Sequence, residues 1–184
     1  MIKEAEKTDI KNISNLILNA IDDIANMLTG EDSKDKILKT LDNYIVMDVC
    51  RLSHKNIYTY IKDEKIVAIL VAYSSNDIDI LDKPMLEHLA KKGIKKECFD
   101  KECFADEFYI DTISVLEDYQ GLGIAKELFA FAFNIAKQKG FSKTSLLVDI
   151  NKEKAKNLYL KMGFKDNKIL EVNKTDFYHM IKEI

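Results

Sequence analysis

Val115-Leu116-Glu117-Asp118-Tyr119-Gln120-Gly121-Leu122-Gly123-Ile124-Ala125 is the stretch on which the reading of this chain turns. The residues leading into it, Glu107 to Val115, are rich in aromatic and branched side chains and predict a strand. The residues following it place Ala125, Leu128, Phe129, Ala132, Ile135 and Ala136 at spacings of three and four, which predicts a long helix. Two glycines therefore stand where a strand hands over to a helix. There, backbone N–H groups can approach an anion without interference from Cβ, and the helix dipole adds partial positive charge. A pyrophosphate is the natural guest. The Lys-Ser/Thr of a P-loop and the third glycine of the dinucleotide fingerprint are both missing, so neither familiar nucleotide motif is satisfied.

Outward from this junction, Thr144 to Ile150 predicts a second buried strand. Asn151 then stands as the cap of a helix with Ala155, Leu158, Tyr159 and Met162 on one face. Lys168–Val172 and Asp176–Ile181 predict two closing strands. Upstream, Thr8 or Asp9 caps a helical face running from Ile10 to Leu28, and a second helix starts near Ser33. Asn56 to Ile61 and Lys65 to Tyr73 form a hairpin about Lys62-Asp63-Glu64. Residues 74–106 read as an insertion, with Pro84 opening a short helix that ends at Gly93 and a charged stretch after it.

The 184 residues fit one domain, and 47% apolar with 32% charged residues is a globular balance. A formal charge of −3 argues against a nucleic-acid-binding face. No apolar run is long enough for a membrane span, the N-terminus lacks a signal-peptide core, and three cysteines predict reduced thiols in a cytoplasmic protein. Cys98, Cys103 and His88 lack metal-ligand spacing, so no metal is expected. Cys50 and Cys103 would be nucleophiles only beside a base. His179, alternating with Tyr178 and Met180, reads as a surface or edge residue of a terminal strand.

Gln120-Gly121-Leu122-Gly123-Ile124-Ala125 resembles the Gln/Arg-x-x-Gly-x-Gly/Ala signature of the GNAT family of N-acetyltransferases. Ile113-Ser114-Val115 falls where that family has its splayed fourth strand. Asn151, Ala155, Leu158, Tyr159, Gly163 and Phe164 are similar to its second cofactor helix and closing turn. The resemblance covers about residues 107–165 and implies one mixed α/β domain over residues 1–184. Its central, mostly antiparallel sheet would splay between strands 4 and 5 and be flanked by helices. Acetyl-CoA would lie in the splay as co-substrate, paired with Ile113, Ser114 and Val115. The amides of Gln120, Gly121, Leu122, Gly123, Ile124, Ala125 and Lys126 would cradle its pyrophosphate, and Asn151 would bond to its pantetheine arm. The acceptor would be an amine of a small molecule or peptide, with the 74–106 insertion lining its site. A non-catalytic CoA-binding module of the same fold is the alternative. Oligomeric state is left open, homodimers being common in the family.

Residues 121–184 carry a net charge of +5 and residues 1–50 one of −4. The signs match a polyanionic cofactor and a cationic acceptor. Acyl transfer to an amine needs a base, a donor to the thioester oxygen and a proton for the leaving thiolate. Tyr159 matches the family's usual proton donor, although it also lies on the apolar face where a core tyrosine would sit. The Val115 N–H is the candidate oxyanion donor. Asp111 and Glu107, four apart on one strand, are the candidate bases, with a water chain as the third arrangement.

Overall fold

A computed structural model describes residues 1–21 and 24–184. In chain order the elements are β1 (Ile2–Glu4), α1 (Ile10–Ile21), α2 (Ile24–Thr29), α3 (Lys34–Val46), β2 (Ile57–Lys62) and β3 (Lys65–Ser74). They continue with α4 (Ile78–Lys91), β4 (Phe108–Val115), α5 (Ile124–Gln138), β5 (Lys143–Asp149), α6 (Glu153–Lys161), β6 (Lys165–Val172) and β7 (Thr175–Glu183). The helical face predicted from Ile10 to Leu28 is carried by α1 and α2; residues 22 and 23, within that expectation, lie outside the described residues.

Seven strands form one sheet in the order β1-β2-β3-β4-β5-β7-β6. Every neighbouring pair is antiparallel except β4 and β5. The sheet is buried on both faces at its centre, which is why β3 reads as an almost continuous apolar run. Ile69, Val71 and Tyr73 pack toward α1–α4, whereas Ala68, Leu70 and Ala72 pack toward α5. The β2–β3 turn uses Asp63 and Glu64, both at positive φ (50° and 60°), the backbone twist that two-residue hairpins require.

Three expectations need correction, and one element is new. Pro84 does not open a helix but lies inside α4, which starts six residues earlier; the Ile80 carbonyl, one turn back on an exposed residue, therefore has no Pro84 N–H to accept from. Asn151 does not cap α6: the cap position is Lys152, and Asn151 sits in the preceding turn. His179 is fully buried, because β7 runs between β5 and β6 and is not an edge. β1 has no counterpart in the sequence reading, since three residues are too few to show a period.

Candidate active site

β4 and β5 are in register only at Phe108–Thr144 and Tyr109–Ser145; beyond these two pairs the strands diverge. Leu116 N–H donates to Val67 O on the β3 side. By the two-residue period of a strand, the main-chain groups of Ile113 and Val115 then point away from β3, into the opening. The Val115 carbonyl agrees, since it accepts from Gln120 Nε2 at 3.1 Å. Ser114 has the opposite parity and pairs with Ile69, so its main chain faces β3.

The loop into α5 follows Glu117–Tyr119, a single 3-10 turn, and passes through Gly121 (φ 76°) and Gly123 (φ 85°). A Cβ built on either glycine meets no atom within 4 Å. Packing therefore does not demand glycine there; the left-handed backbone does, and open space lies in front of it. Among the described residues, the N–H groups of Gly121, Leu122, Gly123, Ile124 and Ala125 have no hydrogen-bond acceptor. The Lys126 N–H, by contrast, donates to Gly123 O at 3.0 Å. Five free amides around a helix start suit a pyrophosphate, and the expected contribution of the Lys126 amide is already used within the helix.

A cavity of about 620 Å³ lies beside the opening. Asp111, Thr112 and Ile113 of β4, Leu147 and Asp149 of β5 and Tyr159 of α6 line it. A second cavity, about 860 Å³, runs past Ser114, Val115 and Gln120 and shares Asn19, Ala20 and Ile113 with the first. The structure thus brings Asp111 and Tyr159 to one cavity. Asn151 is outside both: it is exposed, and its N–H and Nδ2 donate to Asp149 Oδ1 at 2.8 and 3.0 Å.

Asp111 occupies a β-bulge. Val71 pairs with Thr112 and Ala72 with Ile110, leaving Asp111 as the extra residue. Its carboxylate accepts from the Tyr73 phenol and the Thr112 hydroxyl. Burial pushes its carboxyl up from the ordinary value, against the pull of Arg51. The Tyr159 ring packs edge-to-face on Phe129 at 5.5 Å, and burial raises its phenol.

Glu107 has a different place. It precedes β4, is 2% exposed and lies 3.0 Å from His179 Nε2. The Phe104 amide donates to the same oxygen at 3.0 Å. Burial alone would raise this carboxyl, but the bonds from His179 and Phe104 outweigh it and hold it below the usual range. With Asn167 Nδ2 donating to His179 Nδ1 at 3.1 Å, the proton sits on Nε2 and points at Glu107. Glu107 does not line the cavity and is committed to tying β4 to β7.

Arg51, Glu102 and Tyr109, which the sequence reading did not place in the site, line the cavity. Arg51 grips Asp82 with two bonds of 2.8 and 2.9 Å and also donates to Glu102. Glu102 accepts from the Tyr109 phenol at 2.8 Å, and Arg51 and Glu102 both line the cavity. One signal was available: Arg51 is the single arginine among 28 basic residues, and a planar fork is what bidentate pairing needs. Cys50 and Cys103 are buried thiols, each pushed up to about 12 by burial, and are not nucleophiles.

A mixed sheet that splays after two parallel pairs, with a glycine-rich helix start at the opening, defines an acetyltransferase-type fold. The chain matches the model of the acetyltransferase (GNAT) family over residues 19–164 and belongs to that family. Among solved structures it is similar to an acetyltransferase at 29% identity, covering 100% of this chain and 99% of that one, with a TM-score of 0.83. It is also similar to an N-acetyltransferase from Staphylococcus aureus Mu50 at 28% identity, covering 98% and 99% of the two chains, with a TM-score of 0.84. The PaiA N-acetyltransferase from Thermoplasma acidophilum, in complex with coenzyme A, shares the fold at 17% identity, covering 100% and 98%, with a TM-score of 0.61. No curated protein matches the chain. Among the described residues no helix is long and apolar enough to cross a membrane.

Proposed function

We propose that this protein transfers the acetyl group of acetyl-CoA to a primary amine of a small molecule or peptide, by direct attack in a ternary complex. One observation carries the reading: Asp111 and Tyr159 line a single cavity at the mouth of the β4–β5 opening. The residues there fit the co-substrate, since five free amides and the open space before Gly121 and Gly123 suit its pyrophosphate. Ile113 and Val115 would pair with the pantetheine amides as an added strand would.

Acetyl-CoA supplies the acetyl group as a thioester. Asp111 takes the proton that an ammonium acceptor must lose before its nitrogen can attack, and its raised basicity suits that task. The Ile113 N–H, which faces the opening on the wall shared with Asp111 and Tyr159, would donate to the oxygen on which charge builds; Val115, the candidate from the sequence, lies outside that cavity. Tyr159, a phenol and so protonated at neutral pH, gives its proton to the sulfur as the C–S bond breaks. As the N–C bond replaces the C–S bond the nitrogen gives up its second proton to solvent; Tyr159 takes a proton back from solvent and Asp111 releases its own to it. The test is a thiol-release assay with acetyl-CoA and a panel of primary amines and short peptides, with product mass as a second readout. Thiol release that needs both substrates, with a product heavier by one acetyl group, is expected. Its absence across the panel would contradict the proposal.

A further inference from the structure

Tyr73 and Tyr109 are cross-strand partners on β3 and β4, and their rings meet edge-to-face at 5.8 Å. Each phenol donates to a carboxylate: Tyr73 to Asp111, Tyr109 to Glu102. The two carboxylates are therefore bonded to adjacent rings, and both line one cavity. They are not equivalent. Glu102 has a guanidinium bonded to it, whereas Asp111 has only hydroxyl donors. Arg51 in turn is 3% exposed and is held by both oxygens of Asp82, and its charge reaches Asp111 as well as Glu102.

Two neighbouring carboxylates in unequal surroundings divide their roles. A negative charge on one disfavours ionisation of the other, because like charges repel. We infer that Glu102, bonded to both Arg51 and Tyr109 on the cavity wall it shares with Asp111, is the positioning residue that sets Asp111 up as the base; the inference rests on the acetyl-transfer reading above. It has no place in the reaction itself and acts only through Asp111. The titratable and charged groups packed near Asp111 include Tyr73 on β3, Tyr109 on β4, Arg51 before β2 with its partner Asp82 on α4, and Glu102 and Cys103 after α4; Asp149, Lys152 and Tyr159 line the same cavity. Of these, Glu102 is the acid in direct contact with both Arg51 and a tyrosine of the pair. It also explains why the segment after α4, which reads as a solvated charged stretch, sends one carboxylate inward.

The experiment is the pH profile of kcat/KM for thiol release by the full-length wild type, Glu102→Gln and Glu102→Asp. In the wild type the rate rises with pH as Asp111 ionises. In Glu102→Gln the neighbouring charge is gone, so this limb moves to lower pH by about one unit or more, the size of a close like-charge effect. The plateau rate falls with it, because a weaker base draws the proton less well. Glu102→Asp restores the charge and moves the limb back toward its wild-type position. A merely structural role would lower the rate without moving the limb. A limb at the same pH in Glu102→Gln overturns the inference while leaving acetyl transfer intact. No thiol release from the wild type with any amine overturns both.

Discussion

The Tyr73 phenol donates across the β3–β4 pair to the carboxylate of Asp111, the extra residue of a β-bulge. The bulge shifts the alternation of β4: Phe108 and Ile110 pack toward α5 before it, Ile113 and Val115 after it. Asp111 is thereby placed over the cavity while the strand beyond it keeps its apolar contacts, and its main chain is turned into the β4–β5 opening.

Asp111→Asn is expected to lower kcat/KM by about 100-fold or more, the usual contribution of a positioned base. The same substitution should stabilise the fold at neutral pH. Asp111 has a folded pKa above its ordinary value, so the native state binds its proton more tightly than the unfolded chain. Stability from this group is present at low pH and is lost as pH rises through the folded pKa. Removing the charge should raise the melting temperature near pH 8, with the gain vanishing below about pH 4, the ordinary carboxylate range. Melting curves of the two proteins across that window check the sign. A variant less stable than wild type at pH 8 would contradict it.

Tyr159→Phe removes the phenolic proton and keeps the ring packed on Phe129 and Phe164. Turnover should fall by about tenfold to 100-fold with little change in acetyl-CoA affinity. Steady-state kinetics beside a direct binding measurement separates the two. Wild-type turnover would remove Tyr159 from the mechanism.

Glu107→Ala should act on stability and not on chemistry. It leaves the buried His179 Nε2–H and the Phe104 amide without their acceptor, at a cost of about 1–3 kcal/mol. Because Glu107 has a folded pKa below its usual value, its contribution is present at neutral pH and is lost as pH falls through the folded pKa. The stability gap to wild type should therefore close in acid, with kcat per folded enzyme unchanged at neutral pH.

The glycine-rich helix start was legible because positive φ at Gly121 and Gly123 is a demand that one residue type meets. The long helices and central strands were legible through their apolar periods. Long-range partners were not. Glu107 and His179 lie 72 residues apart, and Arg51 and Glu102 51 apart, so no local pattern joins them. The sequence put Glu107 and Asp111 on one face as two candidates for one role, Asp111 first; the fold separates them by giving Glu107 a buried histidine and Asp111 a cavity. Pro84 misled because it favours a helix start, yet α4 already runs from Ile78 to Lys91 around it.

Gly123→Asp separates binding from folding. Aspartate tolerates the left-handed backbone better than most residues and suits a helix cap, and its side chain enters open space. The left-handed backbone at φ 85° costs about 1–2 kcal/mol with a side chain in place, so the unliganded melting temperature should fall by a few degrees with the protein still folded. Acetyl-CoA affinity should fall by about tenfold or more, since a carboxylate would face the pyrophosphate. Unchanged affinity would sink the assignment of the loop.

The most direct test of the account is titration of the wild-type protein with acetyl-CoA, with ATP and NAD as controls, followed by thermal unfolding. A ligand that binds only the native state adds about 2.7 kcal/mol at a hundredfold excess over Kd. For a chain of this size that is a rise of about 5–10 °C. The account predicts that rise with acetyl-CoA and none with ATP or NAD. A folded sample whose melting temperature stays fixed at millimolar acetyl-CoA would contradict it.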